Sequence, residues 1–399
     1  SAGFAEVDDE GRQIQEEIAS IANQHNVRVL GPNCLGMFNV NQGVYATFST
    51  IIEKQTPLKG KIGFVSQSGA FGSHVFTLAR QHQIGFSHFI ATGNESDIDV
   101  ADCIAYLAED SETKVIACYI EGAKDGEKLI EAFKLAAKNN KPVVALKVRT
   151  TNVGKQAALS HTGSLAGSDD VYDAVFEQYG VYRAKTIEEF LDVAYACAEL
   201  PLPKDNRVAI FTVSGGVGIM LADQLSEQSL AVTETPQDVQ KKLKEILPIA
   251  GVKNPIDTTA QINAIPNLLE DFMDEVLASG AYDSAITFLA FTCVDLDTTE
   301  KRIRAIKNVA TKYKEIPLIT VTLNNEESKS RFVENGLVLS DDPTRAVNML
   351  KALNFYRDYF NRQSNENKVY KKEAVSFSPQ RSEERRVGKE CRSRWSPYH

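Results

Sequence analysis

Ile62-Gly63-Phe64-Val65-Ser66-Gln67-Ser68-Gly69-Ala70-Phe71-Gly72 decides the fold. Its first four residues have the length and branching of a buried strand, and Ala70–Arg80 carries helical spacing. Between them stands a tight turn of hydroxyl and glycine residues. Strand, Gly/Ser turn and helix in this order form the unit of a doubly wound α/β sheet. The rhythm repeats downstream. Val115–Ile120 and Val143–Leu146 read as buried strands, with helical spacing over Val100–Leu107 and Leu129–Lys138. Strands apolar on both faces, separated by helices, predict a parallel sheet covered on both sides. After the proline-marked linker Leu200-Pro201-Leu202-Pro203-Lys204-Asp205 the alternation restarts. Strands are expected at Val208–Val213, Ala285–Ala290 and Pro317–Val321, and a last helix over Thr344–Phe360. The expectation is two α/β domains, 55–203 and 204–360, after a remnant of a third at 1–54. Residues 361–380 are polar and aperiodic and read as a linker.

Composition narrows the class. The 399 residues are 43% hydrophobic and 24% charged, enough for several packed cores. Lys and Arg number 44 against 53 Asp and Glu, a net charge of −9. An acidic chain without a basic cluster in its body excludes nucleic acid and a membrane surface as main partners. No apolar run reaches the roughly 20 residues of a membrane helix. Six scattered cysteines with no CxxC pair exclude a disulfide framework and a zinc site, and point to the cytoplasm. The start at Ser1, without Met and with Ile14, Ile18 and Ile21 already at helical spacing, reads as a cut through a domain of a longer parent. Arg381–His399 has no apolar period, holds the one tryptophan, Trp395, and resembles a translated sequencing adapter. Without it, 38 Lys and Arg face 50 Asp and Glu, a net of −12.

Four features can carry chemistry. Ser66-Gln67-Ser68-Gly69 and Ser214-Gly215-Gly216-Val217-Gly218 each follow a strand and open a helix, where backbone amides and the helix dipole favour an anion. Either turn alone is equally what a tight strand-to-helix closure requires. Neither matches a P-loop or GxGxxG, and neither has the first glycine of a GxSxG elbow. In the third, Gly154–Gly167, His161 lies among Ser160, Thr162 and Gly163 in a long small-residue stretch. Hydroxyls and glycine amides suit an imidazole that becomes anionic on phosphorylation. His25, His74, His82 and His88 sit among polar residues, form no HxxH or HExxH pair, and read as exposed histidines without a metal role. The fourth is Glu121 at the C-terminal end of a parallel strand, where open α/β sheets bind ligands. A carboxylate there can hold one imidazole nitrogen and leave the other nucleophilic. A solvated strand-end glutamate explains its position equally well.

Together these segments resemble the α part of the nucleoside-diphosphate-forming acyl-CoA synthetases, with ADP-forming acetyl-CoA synthetase nearest and succinyl-CoA synthetase a wider relative. The resemblance runs in order over residues 1 to about 360. Gly31-Pro32-Asn33-Cys34-Leu35-Gly36 resembles the motif at the end of the CoA-binding domain, which assigns Pro32, Asn33 and Cys34 to the CoA and acyl side. Ser66, Gln67, Ser68 and Gly69 resemble the start of the first phosphate-facing helix, and Ser214, Gly215 and Gly216 the second. Ser160-His161-Thr162-Gly163 matches the phosphohistidine loop, Glu121 the glutamate that steadies its histidine, and Asn254-Pro255-Ile256-Asp257 the segment after the second helix.

The resemblance implies a partial Rossmann-like CoA-binding domain followed by two flavodoxin-like domains. It also implies a relay from acyl-CoA and phosphate, through an acyl phosphate and phosphorylated His161, to ADP. The Gly-rich turn of the CoA-binding domain has no counterpart here. Nor does the ATP-grasp β part, fused or separate, which would bind ADP or ATP with Mg2+ in an oligomeric enzyme. The chain by itself is therefore expected to be inactive. The competing reading is an acyl-CoA-sensing module of a protein acetyltransferase. Such modules typically lose the phosphorylated histidine, so His161 and Glu121 favour the enzyme. The residues do not choose among carboxylic acids, nor between ADP and GDP.

Overall fold

The computed structural model describes residues 2–54, 56–148 and 169–375. The expected phosphohistidine loop, with Ser160, His161, Thr162 and Gly163, and the adapter-like tail lie outside the described residues. Residues Ser1–Arg357 form one compact unit and Asp358–His399 another, described only through helical residue 375.

Among the described residues the first unit holds two sheets. The larger contains β1 (Gly36–Asn39), β2 (Val44–Thr47), β3 (Lys59–Ser66), β4 (Phe86–Ala91), β5 (Val115–Ile120), β6 (Val143–Lys147) and β7 (Val181–Arg183), in the order β2-β1-β4-β3-β5-β6-β7. From β4 to β7 neighbouring strands run parallel, while the β1–β2 hairpin adds an antiparallel edge onto β4. The smaller sheet contains β8 (Val208–Thr212), β9 (Ile256–Asp257), β10 (Ser284–Phe288), β11 (Leu318–Val321) and β12 (Val338–Ser340), all parallel, in the order β12-β11-β10-β8-β9. Counted along the chain, the parallel part of each sheet has the doubly wound order 2-1-3-4-5 of flavodoxin-like domains. In that order the strand direction of progress reverses between the first and third strands.

Local sequence explains the elements. Ser68 caps the helix Gly69–Gln81, its hydroxyl accepting from Phe71 N at 3.4 Å. Asp99 and Asp102 exchange bonds in a capping box at the start of Val100–Glu109. Asp125, Thr186, Asp295 and Asn325 cap four more helices through their side chains. In the larger core Phe64 lies against Phe86, Phe89 and Phe190. In the smaller, Phe211, Phe272, Met273 and Phe332 are fully buried.

Three readings of the sequence change. The last helix, expected over Thr344–Phe360, runs Pro343–Val375 and takes in most of the residues read as a linker, 361–380. Phe86–Ala91, which carries no clear apolar run, is a central strand with every residue buried. His88 on it is therefore not an exposed histidine but a buried one, held by Asn39 at 2.8 Å; the hydroxyl and imidazole in Phe-Ser-His-Phe mask the strand. Ser87 is satisfied by Thr113 at 2.7 Å, while His88 Nδ1, 3.6 Å from Asp110, has no hydrogen bond among the described residues. His25 and His74 are exposed, and His82 is half-buried. No described helix is long and apolar enough to cross a membrane.

Candidate functional site

β3 and β5 are the adjacent first and third strands of the larger doubly wound sheet, so their C-terminal ends flank its switch point. Ser66-Gln67-Ser68 leaves β3 there, and Glu121-Gly122 leaves β5. Gln67 joins the two exits. Its Oε1 accepts from Glu121 N at 2.6 Å and Gly122 N at 3.1 Å, while its Nε2 donates to Gly122 O at 2.8 Å. Its own backbone N donates to Tyr119 O at 3.3 Å. The backbone that carries Glu121 is thereby fixed to the start of the helix Gly69–Gln81.

A cavity of about 920 Å³ opens at this junction. Asn33, Cys34, Gln67, Ser68, Gly69 and Glu121 line it, so six of the residues singled out in the sequence share one space. The positive end of the helix dipole forms part of the wall at Gly69 and Ala70. Pro32 stands behind it, its carbonyl accepting from Asn94 N at 2.9 Å after a cis Gly31–Pro32 bond. The close approach at Gly93 (φ 62°) needs glycine, because a Cβ there would lie 2.4 Å from Pro32 O. Ser66 is not on the wall: it is buried, and its hydroxyl donates to Ser68 O at 2.7 Å.

The sequence reading missed much of the polar shell. Asn94 donates to Glu6 at 2.6 Å and Gln15 at 2.9 Å, and accepts from Asn33 Nδ2 at 3.2 Å. Lys124 Nζ donates to the carbonyls of Asn94 at 2.7 Å and Glu95 at 2.5 Å. Glu95 is buried, and its carboxylate accepts from Thr92 Oγ1 at 2.8 Å and Val100 N at 2.9 Å. Burial pushes its pKa up, against hydrogen bonds from Gln67 and Thr92 that pull it down. Asn94 and Glu95 follow Gly93 in a turn that does not lead directly from a recognised strand into a helix, so the fold is needed to reveal them. On the neighbouring strand end, Lys147 is buried, bonds Val148 O at 2.9 Å and lies over the Tyr172 ring at 4.7 Å.

The second glycine turn occupies the equivalent place on the smaller sheet, after β8. Thr212 Oγ1 accepts from Ser214 N at 2.9 Å and donates to Ser214 O at 2.8 Å, shaping the turn into the helix Gly215–Glu227. Gly215 and Gly216 are exposed and do not line the first cavity. Gly218 packs on Pro255, where a Cβ would come within 3.0 Å. Asn254 secures that proline's segment: its Oδ1 accepts from Ile210 N at 2.9 Å, and its Nδ2 donates to Val208 O at 2.7 Å and Thr233 O at 3.1 Å.

The chain has clear relatives among known proteins. Residues 59–197 match the family described as the succinyl-CoA ligase like flavodoxin domain. The α subunit of acetate–CoA ligase [ADP-forming] II from Pyrococcus furiosus is 39% identical over 350 residues, 86% of this chain and 74% of the relative. A 4-hydroxybutyrate–CoA ligase [ADP-forming] from Nitrosopumilus maritimus is 34% identical over 325 residues, 80% of this chain and 45% of that protein. The solved dinucleotide-forming acetyl-coenzyme A synthetase 1 of Ca. Korarchaeum cryptofilum, in complex with phosphate and ADP, superposes with a TM-score of 0.80. It is 28% identical and covers 91% of this chain and 78% of that one.

Proposed function

The chain belongs to the NDP-forming acyl-CoA synthetase family, and from that premise we propose that it is the acyl- and phosphoryl-handling part of an acid–CoA ligase (ADP-forming). The reaction interconverts acyl-CoA, phosphate and ADP with carboxylic acid, CoA and ATP. One observation carries this reading: a single cavity has the Asn33–Cys34 turn, the start of the helix Gly69–Gln81 and Glu121 on its walls. The sensing-module alternative has no comparable support, since the relatives reported above are ligases.

In the proposed sequence, phosphate rests against Ser68 and Gly69, where the helix dipole offsets its charge. One phosphate oxygen attacks the thioester carbonyl, the C–S bond breaks, and CoA leaves as the thiol. The acyl phosphate then gives its phosphoryl group to a nitrogen of His161; the N–P bond forms as the O–P bond breaks, and the carboxylate leaves. Glu121 holds the other imidazole nitrogen, which keeps the attacking nitrogen unprotonated. The proposed second seat for the phosphorylated imidazole is the turn Ser214-Gly215-Gly216. From there ADP takes the phosphoryl group, with nucleotide and Mg2+ held by an ATP-grasp β part, fused or separate. Sub-units of this kind assemble as oligomers in this reading, and the reaction belongs to the cytoplasm.

The test uses the chain together with its β part, acetyl-CoA, phosphate and ADP. His161→Ala should still form acetyl phosphate, seen by 31P NMR together with released CoA thiol, and make no ATP. ATP synthesis at more than a few per cent of wild type in that variant would sink the relay.

A further inference from the structure

The smaller sheet has a cavity of its own, about 750 Å³, between the starts of the helices Leu268–Ala278 and Leu296–Lys312. Ser214, Gly215 and Gly216 are not on its wall, so it is distinct from the second glycine turn. Lys301, Arg302 and Arg304 all line it, in a chain whose net charge is negative. Lys301 and Arg304 are exposed, whereas Arg302 is only 7% exposed. Its Nη2 donates to Ile262 O at 2.9 Å and Asn263 Oδ1 at 2.7 Å, which fixes the guanidinium against a wall of the cavity. Its Nε is buried and has no partner among the described residues.

Both acidic residues on the wall are engaged elsewhere. Asp295 caps its helix by accepting from Thr298 N at 2.9 Å, and Glu270 accepts from Asn308 Nδ2 at 3.0 Å. Neither forms an ion pair with Arg302, whose pKa burial pulls below the ordinary value. A buried cation without a counter-ion is costly, and an anion supplied from outside removes that cost. The helix Leu268–Ala278 begins on the same wall. Its cap, Asn267, is left-handed at φ 60° and makes no side-chain capping bond, and its first turn carries the carboxylates Glu270 and Asp271, which already offset the positive helix end.

We propose that this cavity is a second oxyanion site, which takes a carboxylate or phosphate group at the Arg302 guanidinium. Lys301 and Arg304 stand at its mouth and draw the anion in, and Phe291, 73% exposed on the same wall, gives an organic anion an apolar contact. The site is independent of the acyl and phosphoryl chemistry at Glu121.

The experiment titrates inorganic phosphate and, separately, acetate into the 399-residue chain. Calorimetry follows binding, and the Nε–H signals of 15N-arginine report where it occurs. At least one anion should saturate and shift one buried arginine signal that is missing in Arg302→Met. That variant should bind at least tenfold more weakly, and Lys301→Ser/Arg304→Ser, whose changes are exposed, three- to tenfold more weakly. Gln67→Ala, at the other cavity, should leave this binding event unchanged. Saturation by phosphate alone assigns a phosphate group, and by acetate alone a carboxylate. No saturable binding by either anion overturns the proposal. So does unchanged affinity in the Lys301/Arg304 double variant, which decides the matter if Arg302→Met fails to fold.

Discussion

Gln67 shows what one side chain can fix. It spends its amide on three backbone groups of Glu121 and Gly122, so the catalytic candidate inherits its position from a neighbour on another strand exit. Gln67→Ala leaves those groups to find water at the rim of the cavity. It should remove about 1–3 kcal/mol of organisation, roughly a ten- to hundredfold fall in the rate of His161 phosphorylation, with the fold retained by circular dichroism. A rate within twofold of wild type would mean that Gln67 does not position the site. The sequence marked Gln67 only as part of a Gly/Ser turn. Its reach to β5 depends on which strands are neighbours, and that pairing is set by tertiary packing.

At the scale of elements, the turn-and-helix unit after β3 was legible because strand, small-residue turn and cap are all local. Packing behind it was not. Gly72 reads in sequence as a weak helix residue, yet a Cβ there would stand 2.7 Å from the buried Phe89 ring and 3.3 Å from Ser66 Cβ. Gly72→Ala should therefore destabilise the protein by about 1–3 kcal/mol, although alanine is the better helix former by about 1 kcal/mol. Urea unfolding measures the balance, and a stabilised variant would show that Phe89 can yield. β4 was hidden for a related reason: Ser87 and His88 look like surface residues until Thr113 and Asn39 are placed opposite them. The antiparallel β1–β2 hairpin, the short β9 and the short β12 lack apolar runs long enough to stand out.

At the scale of the whole first unit, the two sheets are joined by a few polar contacts. Arg345 grips Asp192 in a two-pronged pair, both bonds 2.7 Å, with the aspartate side chain 3% exposed. Tyr356 OH donates to Val143 O at 2.6 Å, tying the C-terminal helix to β6. Arg345→Met would strand a buried carboxylate and should cost about 3–5 kcal/mol, seen as an earlier unfolding midpoint at pH 7. Nearby, Lys329 donates to His82 Nδ1 at 3.3 Å. Burial, with the Lys329 charge second, holds His82 down to about 4 from 6.5. Arg345 also lowers it, while Asp341 and Glu188 work the other way. The unfolded chain thus takes up this proton near pH 6.5 and the folded chain only near 4. The stabilisation is whole above 6.5 and is lost as pH falls toward 4. His82→Gln should flatten the fall in urea midpoint between pH 6.5 and 4.5; an identical slope in the variant would assign the acid sensitivity to other groups.

Phosphoryl transfer to His161 itself is the measurement to make first. The protein, joined with its ATP-grasp β part, is incubated with γ-labelled ATP and magnesium, and the labelled chain is treated with acid and with base. The label should be removed by acid and not by base, present in wild type, absent in His161→Ala and slowed in Glu121→Gln. Equal labelling of wild type and His161→Ala, or no label on a folded and assembled enzyme, would contradict the relay.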